Sequence, residues 1–343
     1  MKRLSIVFAA PHRVEVAEEV MPDMRPDQVL VQSIVSAISA GTEMLFYRGQ
    51  VPPDMDVDTS IAALAGQARY PLKYGYALVG KVIAVGAQID PAWTGRRVFA
   101  FHPHESHFIA GPDELIPLPE DIEPEDAAFL PNMETAVNLV MDGRPMLGEH
   151  AVVIGQGVVG LLTTGLLAQF PLGQIVALDR YPLRLEMARA FGAHVALDPA
   201  TQPEHALRST VAQGRGADLI YELSGNPDAL NLAIALAGYS GRIVVGSWYG
   251  QKQAPLDLGG RFHRQRIQII SSQVSTIAPE WSGRWDKARR FAVAWDMIRR
   301  LRPRQLVTHR GAVTEAAQTY ALLDQQPEQA LQALLTYPGF PES

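Results

Sequence analysis

The segment AVVIGQGVVGLLTTGLL sets Gly155, Gly157 and Gly160 in a G-x-G-x-x-G run between an apolar strand-like stretch and an apolar helix-like one. In that setting the three glycines serve, in turn, a tight turn, close approach of a pyrophosphate to the backbone, and close packing of helix on strand. A helix opening at Val158 and Val159 offers the phosphates its unpaired N–H groups and the positive end of its dipole. Asp179 follows nineteen residues after Gly160, at the end of the next apolar run. A carboxylate there accepts hydrogen bonds from ribose hydroxyls and repels a 2′-phosphate, so NAD is expected ahead of NADP. Arg180 weighs the other way, because an arginine can pair with that phosphate. The plainer alternative is that the glycines serve a turn and Asp179 caps a helix.

A second group of residues able to do chemistry is FHPHESH, with His102, His104 and His107 around Glu105. In an extended segment His102 and His104 share a face and His107 takes the other. Two imidazoles without a third ligand make an incomplete metal site. Hydrogen-bonded loop or strand histidines are the plainer reading for at least two of the three.

The elements that must hold these residues change character along the chain. Up to about residue 120, short β-type runs such as QVLVQSIVSAIS and YALVGKVIAVG alternate with Pro and Gly, which predicts a compact, mainly β unit. MKRLSIVFAAPHRVEV reads as an N-terminal strand pair rather than a signal peptide, since the apolar run breaks at Pro11 and then alternates. VPPDMDVDTSIAALAGQARYPLKYG reads as a surface excursion with a small helical piece. From about 130 helices alternate with nearly all-apolar strands, which predicts a parallel sheet covered on both faces. Ser224, Gly225 and Asn226, and Gly246, Ser247 and Trp248, end two of these strands on the edge where a cofactor crosses the sheet. Trp285, Ala288, Ala292 and Trp295 recur at helical spacing after 275, and QALQALLTYP is expected to return to the first unit. Residues 284–304 carry eight basic side chains against two acidic ones, read as a solvated helix face with a carboxylate-facing role as the alternative.

With 343 residues, 47% of them apolar and 19% charged, the chain is in the ordinary globular class and long enough for two domains. A net charge of −6 gives no electrostatic reason to bind nucleic acid or an acidic membrane. The sequence contains no cysteine, so disulfides, thiolate metal ligands and a catalytic thiol are excluded. No stretch approaches the roughly 20 apolar residues of a membrane span, and a cytoplasmic location is the default expectation.

SAISAGTE, YGYALVG, the glycine-rich run and the short C-terminal return, in that order, make the chain similar to the medium-chain dehydrogenase/reductase superfamily along nearly its whole length. The pattern in SAISAGTEMLFYRG, the PP at Pro52 and Pro53, YPLKYGYALVG and Val307–Arg310 followed by EAAQTYALL resembles most a branch that includes bacteriochlorophyllide dehydrogenase. The resemblance implies an α/β protein with a GroES-like domain over 1–130 and 275–343 and a Rossmann domain over 131–274, with the active site in the cleft between them. It implies hydride transfer between NAD(H) and a secondary alcohol or its ketone, here expected on a bulky cyclic small molecule.

Zinc-dependent members place a cysteine, a histidine and a cysteine or glutamate where this chain has Ala40, Tyr76 and Leu130, and Ala77 stands at the place of a nearby glutamate. No family-type zinc is therefore expected. Without a Lewis acid, proton transfer falls to a side chain. Thr42 matches the residue that hydrogen-bonds substrate oxygen, Glu43 matches an acid behind the metal, and Tyr76 brings a hydroxyl to a former ligand position. His102 or His104 is the favoured proton acceptor, because a neutral imidazole suits that role near neutral pH. Thr135 matches a threonine beside the nicotinamide. The apolar run RIQIISSQV resembles the edge strand through which family members pair, so a homodimer is expected. Two other readings stand beside this one: an NADPH-dependent quinone or enone reductase, and a non-catalytic NAD-binding protein.

Overall fold

The computed structural model describes residues 1–58 and 61–337, and Thr59 and Ser60 of the expected surface excursion lie outside the described residues. Contacts divide the chain into one unit of residues 1–131 and 302–343 and another of residues 132–301.

In the first unit the strands are β1 (Lys2–Ala10), β2 (Arg13–Val20), β3 (Val29–Ile38), β4 (Leu78–Val85), β5 (Arg97–Ala100), β6 (His107–Ala110) and β7 (Leu115–Pro117). The second unit contributes β8 (His150–Ile154), β9 (Gln174–Leu178), β10 (Val195–Leu197), β11 (Ala217–Glu222), β12 (Ala237–Val245) and β13 (Gln268–Ser271). The chain then returns to the first unit with β14 (Val307–Ala312) and β15 (Gln332–Thr336).

β1 and β2 form the expected antiparallel hairpin. The remaining strands of the first unit make a mixed sheet in the order β14-β15-β3-β4-β5-β7, with β6 also on β3. Along β3 buried and half-buried residues alternate before the run becomes fully buried, as a strand covered increasingly on both faces requires. QALQALLTYP does return: β15 pairs antiparallel with β3, Leu334 opposite Ala37. Ile6, Phe8, Phe46, Tyr74, Tyr320 and Leu335 meet in one apolar core. The excursion after Val51 carries the expected small helical turn, Ala62–Leu64.

The second unit is a parallel sheet in the order β10-β9-β8-β11-β12-β13. Its direction of winding reverses between β8 and β11, the doubly wound order whose ligand crevice lies at the carboxyl ends of the strands. The fold class is thus α/β as expected. Two expectations about the C-terminal third fail. Residues 275–301, expected in the first unit, pack with the second. The helix Lys287–Leu301 begins after Trp285, and it turns Arg290, Ala294, Trp295 and Ile298 inward. Among the described residues no helix is long and apolar enough to cross a membrane.

Candidate active site

In the first unit, β3 ends at Ile38 and the turn Ser39-Ala40-Gly41 leads into the short helix Glu43–Tyr47, with Thr42 at its N-cap. The turn is locked reciprocally: Glu43 N–H donates to the Ser39 carbonyl (2.9 Å), and Ser39 N–H donates to Glu43 Oε1 (2.7 Å). Glu43 is completely buried, yet its carboxylate is well supplied. Its Oε2 faces His104 Nε2 at 3.0 Å and also accepts the Tyr320 hydroxyl. His104, equally buried, has Nδ1 2.7 Å from Ser36 Oγ, which lies 2.7 Å from the Tyr337 hydroxyl. The contacts run unbroken through Tyr337, Ser36, His104 and Glu43, with His104 Nε2 donating to the carboxylate. Gly75 makes room for it: its φ is +123°, and a Cβ there would stand 2.6 Å from the His104 ring.

Above this buried layer, the Tyr76 hydroxyl lies 2.6 Å from Ser39 Oγ and 3.4 Å from Thr42 Oγ1. Tyr76 is half-buried, and burial raises its pKa above the ordinary tyrosine value. It is a protonated hydroxyl at neutral pH. Thr42, Glu43, Tyr76 and His104 are therefore brought together, with a carboxylate–imidazole pair beneath a cluster of three hydroxyls.

Among the described residues, no hydrogen bond joins His102 to this cluster. Its ring stacks on Phe108 at 4.2 Å, its Nδ1 sits 3.1 Å from the Pro103 carbonyl, and burial lowers its pKa. The expected shared face of His102 and His104 does not form, because residues 101–104 follow no strand. Instead the His104 carbonyl is tied to Ile6 N–H, and Glu105 bridges to Ser5 beside β1. As a proton acceptor open to substrate, His104 is ill placed. Both ring nitrogens are engaged and none of its surface is exposed. Ser39, Ser36, Tyr320 and Tyr337 carry no signal in the sequence that marks them for this cluster, except that Ser39 adjoins the GTE stretch.

Ala40, Tyr76 and Leu130, which the resemblance sets at zinc-ligand positions, do not form a metal donor set. Ala40 has no donor atom, Leu130 is a fully buried core side chain, and Tyr76 holds its proton. Among the described residues no group of three or more His, Asp or Glu side chains is arranged to hold a metal ion.

In the second unit the glycine run behaves as its spacing implies. Gly155 has φ +90°, and a Cβ on it would lie 2.6 Å from the Ser224 backbone. A Cβ on Gly160 would lie 1.9 Å from the Gly155 carbonyl, whereas Gly157 faces open space. The last is the position where a ligand's phosphates need to approach. Gly157 caps the helix Val158–Leu167, whose first residues are Val158 and Val159. Gln156, also buried, braces the loop through the Val153 carbonyl and Thr164.

Asp179 accepts from Gln156 N–H (2.7 Å) and from Tyr181 N–H (3.0 Å), and Arg184 lies 3.7 Å away. It joins the end of β9 to the glycine loop. Arg180 is exposed, with its guanidinium over the Tyr181 ring.

At the end of β11, Glu222 is fully buried, accepting from Ser224 N–H (2.8 Å) and the Tyr249 hydroxyl (2.5 Å). Gly225 N–H donates to Ser247 Oγ (2.9 Å), tying the two strand-end loops together, and Asn226 N–H donates to Ser224 Oγ (3.1 Å). Gly246 is required by Leu139 and Leu223, each 2.6 Å from where its Cβ would be, and Trp248 beyond it is partly exposed. Thr135 lies on the helix Leu130–Gly143 and is half-buried. Glu222 and Tyr249 are members of this edge that strand and helix patterning does not single out.

Residues 158–293 match the zinc-binding dehydrogenase family. D-guloside 3-dehydrogenase of Escherichia coli (strain K12) is 23% identical, over 98% of this chain and 100% of that protein. The short chain alcohol dehydrogenase of E. coli CFT073, solved with NADH, superposes with a TM-score of 0.79 at 20% identity, covering 98% of this chain and 99% of that one. For 2R,3R-butanediol dehydrogenase from Bacillus subtilis the TM-score is 0.79 at 18% identity, with 97% and 99% covered. Over residues 158–293 the chain is thus similar to the zinc-binding dehydrogenase family, its fold is shared with the superposed dehydrogenases, and these likenesses make it an alcohol-dehydrogenase-like oxidoreductase.

Proposed function

We propose that the protein transfers hydride between NAD(H) and a secondary alcohol or its ketone without zinc, with Tyr76 as the proton-transferring group. The observation that carries this reading is the hydroxyl cluster itself. Tyr76, which the resemblance sets at a former ligand position, sits 2.6 Å from Ser39 and 3.4 Å from Thr42, above the buried Glu43 and His104. When bound, the dinucleotide supplies the hydride. In the direction of reduction the hydride goes to the carbonyl carbon and the Tyr76 proton to the carbonyl oxygen. Solvent then restores that proton by way of the Ser39 and Thr42 hydroxyls. Thr42 orients the substrate oxygen, while Glu43 and His104 are positioning residues that hold the turn.

Gly155, Gly157 and Gly160 receive the pyrophosphate in this reading, Asp179 the adenosine ribose, and Thr135 with the strand-end loops the nicotinamide end. Asp179 favours NAD over NADP. A bulky cyclic substrate, in the manner of the bacteriochlorophyllide dehydrogenase branch, fits the loss of a metal that would otherwise occupy the pocket. The relative named for a guloside is likewise named for a ring-bearing alcohol. A homodimer is supported by the free edge of β13, where Ile269 is exposed on the last strand of the sheet.

The test is a screen of cyclic and acyclic ketones for NADH oxidation by chelator-treated protein with its metal content measured. Turnover that persists at negligible zinc and is lost in Tyr76→Phe is expected. Turnover that requires stoichiometric zinc would overturn the reading.

A further inference from the structure

The amino-end side of the parallel sheet carries an open groove of about 630 Å³ within the second unit. It lies between the helix Leu130–Gly143, the C-terminal turn of the helix Val158–Leu167 and the helix Lys287–Leu301. Its residues Arg144–Met146 precede β8 and Phe170 precedes β9, whereas the glycine loop follows β8. A five-residue strand spans about 16 Å, so the groove is at the opposite end of the sheet from the dinucleotide site.

The floor is apolar, formed by Val140, Met141, Leu166, Phe170, Val293 and Met297. Its volume falls in the range of roughly 300–1,000 Å³ typical of small-molecule sites. The rim is cationic. Arg144 and Arg284 lie over the Trp281 ring at 5.1 and 5.0 Å, and Arg289 over Trp285 at 4.1 Å. Arg144 is paired with Glu280, but among the described residues neither Arg284 nor Arg289 has a carboxylate partner. A further observation calls for an acceptor at the rim: among the described residues, Trp281 Nε1 is buried and has no hydrogen-bond partner. An orphaned indole N–H costs free energy until an oxygen reaches it. The basic stretch of the sequence thus divides, with Arg290 directed into the core and Arg284 and Arg289 left over an apolar trough.

We infer that this groove binds an amphipathic carboxylate, its hydrocarbon chain on the Met141–Leu166–Met297 floor and its carboxylate at Arg284, Arg289 and Trp281 Nε1. An apolar floor alone accepts any hydrocarbon. Among the described residues, the guanidinium groups of Arg284 and Arg289 have no carboxylate partner, Arg289 donating to the Arg284 carbonyl, and with the indole donor they select for an anion with oxygen acceptors. The site is separate from the proposed reaction and does not depend on it.

The experiment is calorimetric titration of the full chain with dodecanoate, dodecyl maltoside and dodecyltrimethylammonium, each kept below its micelle concentration. The expected result is one equivalent of dodecanoate bound, at least about tenfold tighter than either other amphiphile, as charge-assisted hydrogen bonds imply. Arg284→Gln and, separately, Met297→Glu should each weaken dodecanoate by about tenfold or more while NADH titration and the thermal midpoint stay unchanged. No binding, or equal binding of all three amphiphiles with Arg284→Gln indifferent, would overturn the inference. So would competition between dodecanoate and NADH, which would place the anion in the dinucleotide site. A Met297→Glu protein of half the native particle mass would identify the groove as a contact between copies and overturn it too.

Discussion

Glu43 and His104, 61 residues apart in sequence, face each other at 3.0 Å with no exposed surface on either. The pair fixes the turn that presents Ser39 and Thr42, and it depends on Gly75, which lets the imidazole pass. Gly75→Ala would place a Cβ 2.6 Å from the ring in a backbone conformation with φ +123°. Overpacking and strain together should destabilise the protein by about 2–4 kcal/mol, measurable as a lowered urea midpoint. His104→Ala leaves a buried carboxylate short of a donor and should cost about 3–5 kcal/mol. Unchanged stability in both variants would show that the pair is not a structural brace.

Removing the Tyr76 hydroxyl tests the chemistry separately from the fold. Tyr76→Phe keeps the ring and loses only the bonds to Ser39 and Thr42. Loss of a positioned proton donor should lower kcat by about 10²- to 10⁴-fold with little change in KM. Steady-state kinetics on any ketone the enzyme accepts will separate the two parameters. A change confined to KM would assign Tyr76 to substrate binding.

Alkaline pH should act on the same region. Burial is the largest cause of the raised pKa values of Tyr74, Tyr76, Tyr320 and Tyr337 in the first unit. A folded-state pKa above the unfolded value near 10 means that the contribution to stability is complete below pH 10 and is lost as pH rises toward the folded pKa values. Denaturation followed by circular dichroism should therefore give a constant midpoint between pH 8 and about 9.5 from this source, then a steep fall. Tyr320→Phe should soften that fall, because its hydroxyl adjoins the Glu43 charge.

How much of this was legible in the sequence depended on whether the signal was local. The glycine run, Asp179 and the alternation of apolar strands with helices obey spacing rules within one βαβ unit, and β8 to β13 form where those rules put them. Thr42, Glu43 and Tyr76 stand out by a resemblance in short motifs; the Tyr76 and Thr42 hydroxyls lie 3.4 Å apart, and Glu43 braces the same turn through Ser39 N–H. The helix Lys287–Leu301 packs with the second unit, and an amphipathic stripe alone does not say which sheet it covers. His102 and His104 would share a face only in an extended chain, and here Pro103 lies between them and residues 101–104 follow no strand. The contacts of Tyr320 and Tyr337 with Glu43 and Ser36 span 277 and 301 residues, and no pattern in a single sequence encodes them.

Arg290 offers a test of the corrected boundary. It is fully buried and held by Glu134 (2.7 Å from Nη2), Asn138 (2.6 Å) and the Thr276 carbonyl (3.1 Å). Burial is the leading influence on Glu134 and raises its pKa despite the arginine. Arg290→Ala strands that carboxylate and should destabilise by about 3–5 kcal/mol. The double variant Arg290→Met with Glu134→Leu should recover most of the loss, since a packed apolar pair can replace a buried ion pair. Equal destabilisation of single and double variants would mean that Arg290 acts through Asn138 and the backbone carbonyls instead.

Asp179 carries the choice between dinucleotides and a share of the loop's structure. One carboxylate oxygen accepts from Gln156 N–H in the glycine loop and the other from Tyr181 N–H, leaving lone pairs on both for a ribose diol. Asp179→Asn keeps an acceptor for one of the two backbone donors but removes the charge that repels a 2′-phosphate. Arg180 is exposed beside it and Arg184 lies 3.7 Å away, so two arginines stand near that position. NADH affinity should fall about tenfold and NADPH affinity should rise, narrowing or reversing the ratio of the two dissociation constants. Nicotinamide fluorescence titration with both cofactors reads this ratio directly. If Asp179→Asn weakens NADH and NADPH by the same factor, the carboxylate serves only the loop, and the cofactor preference must come from elsewhere.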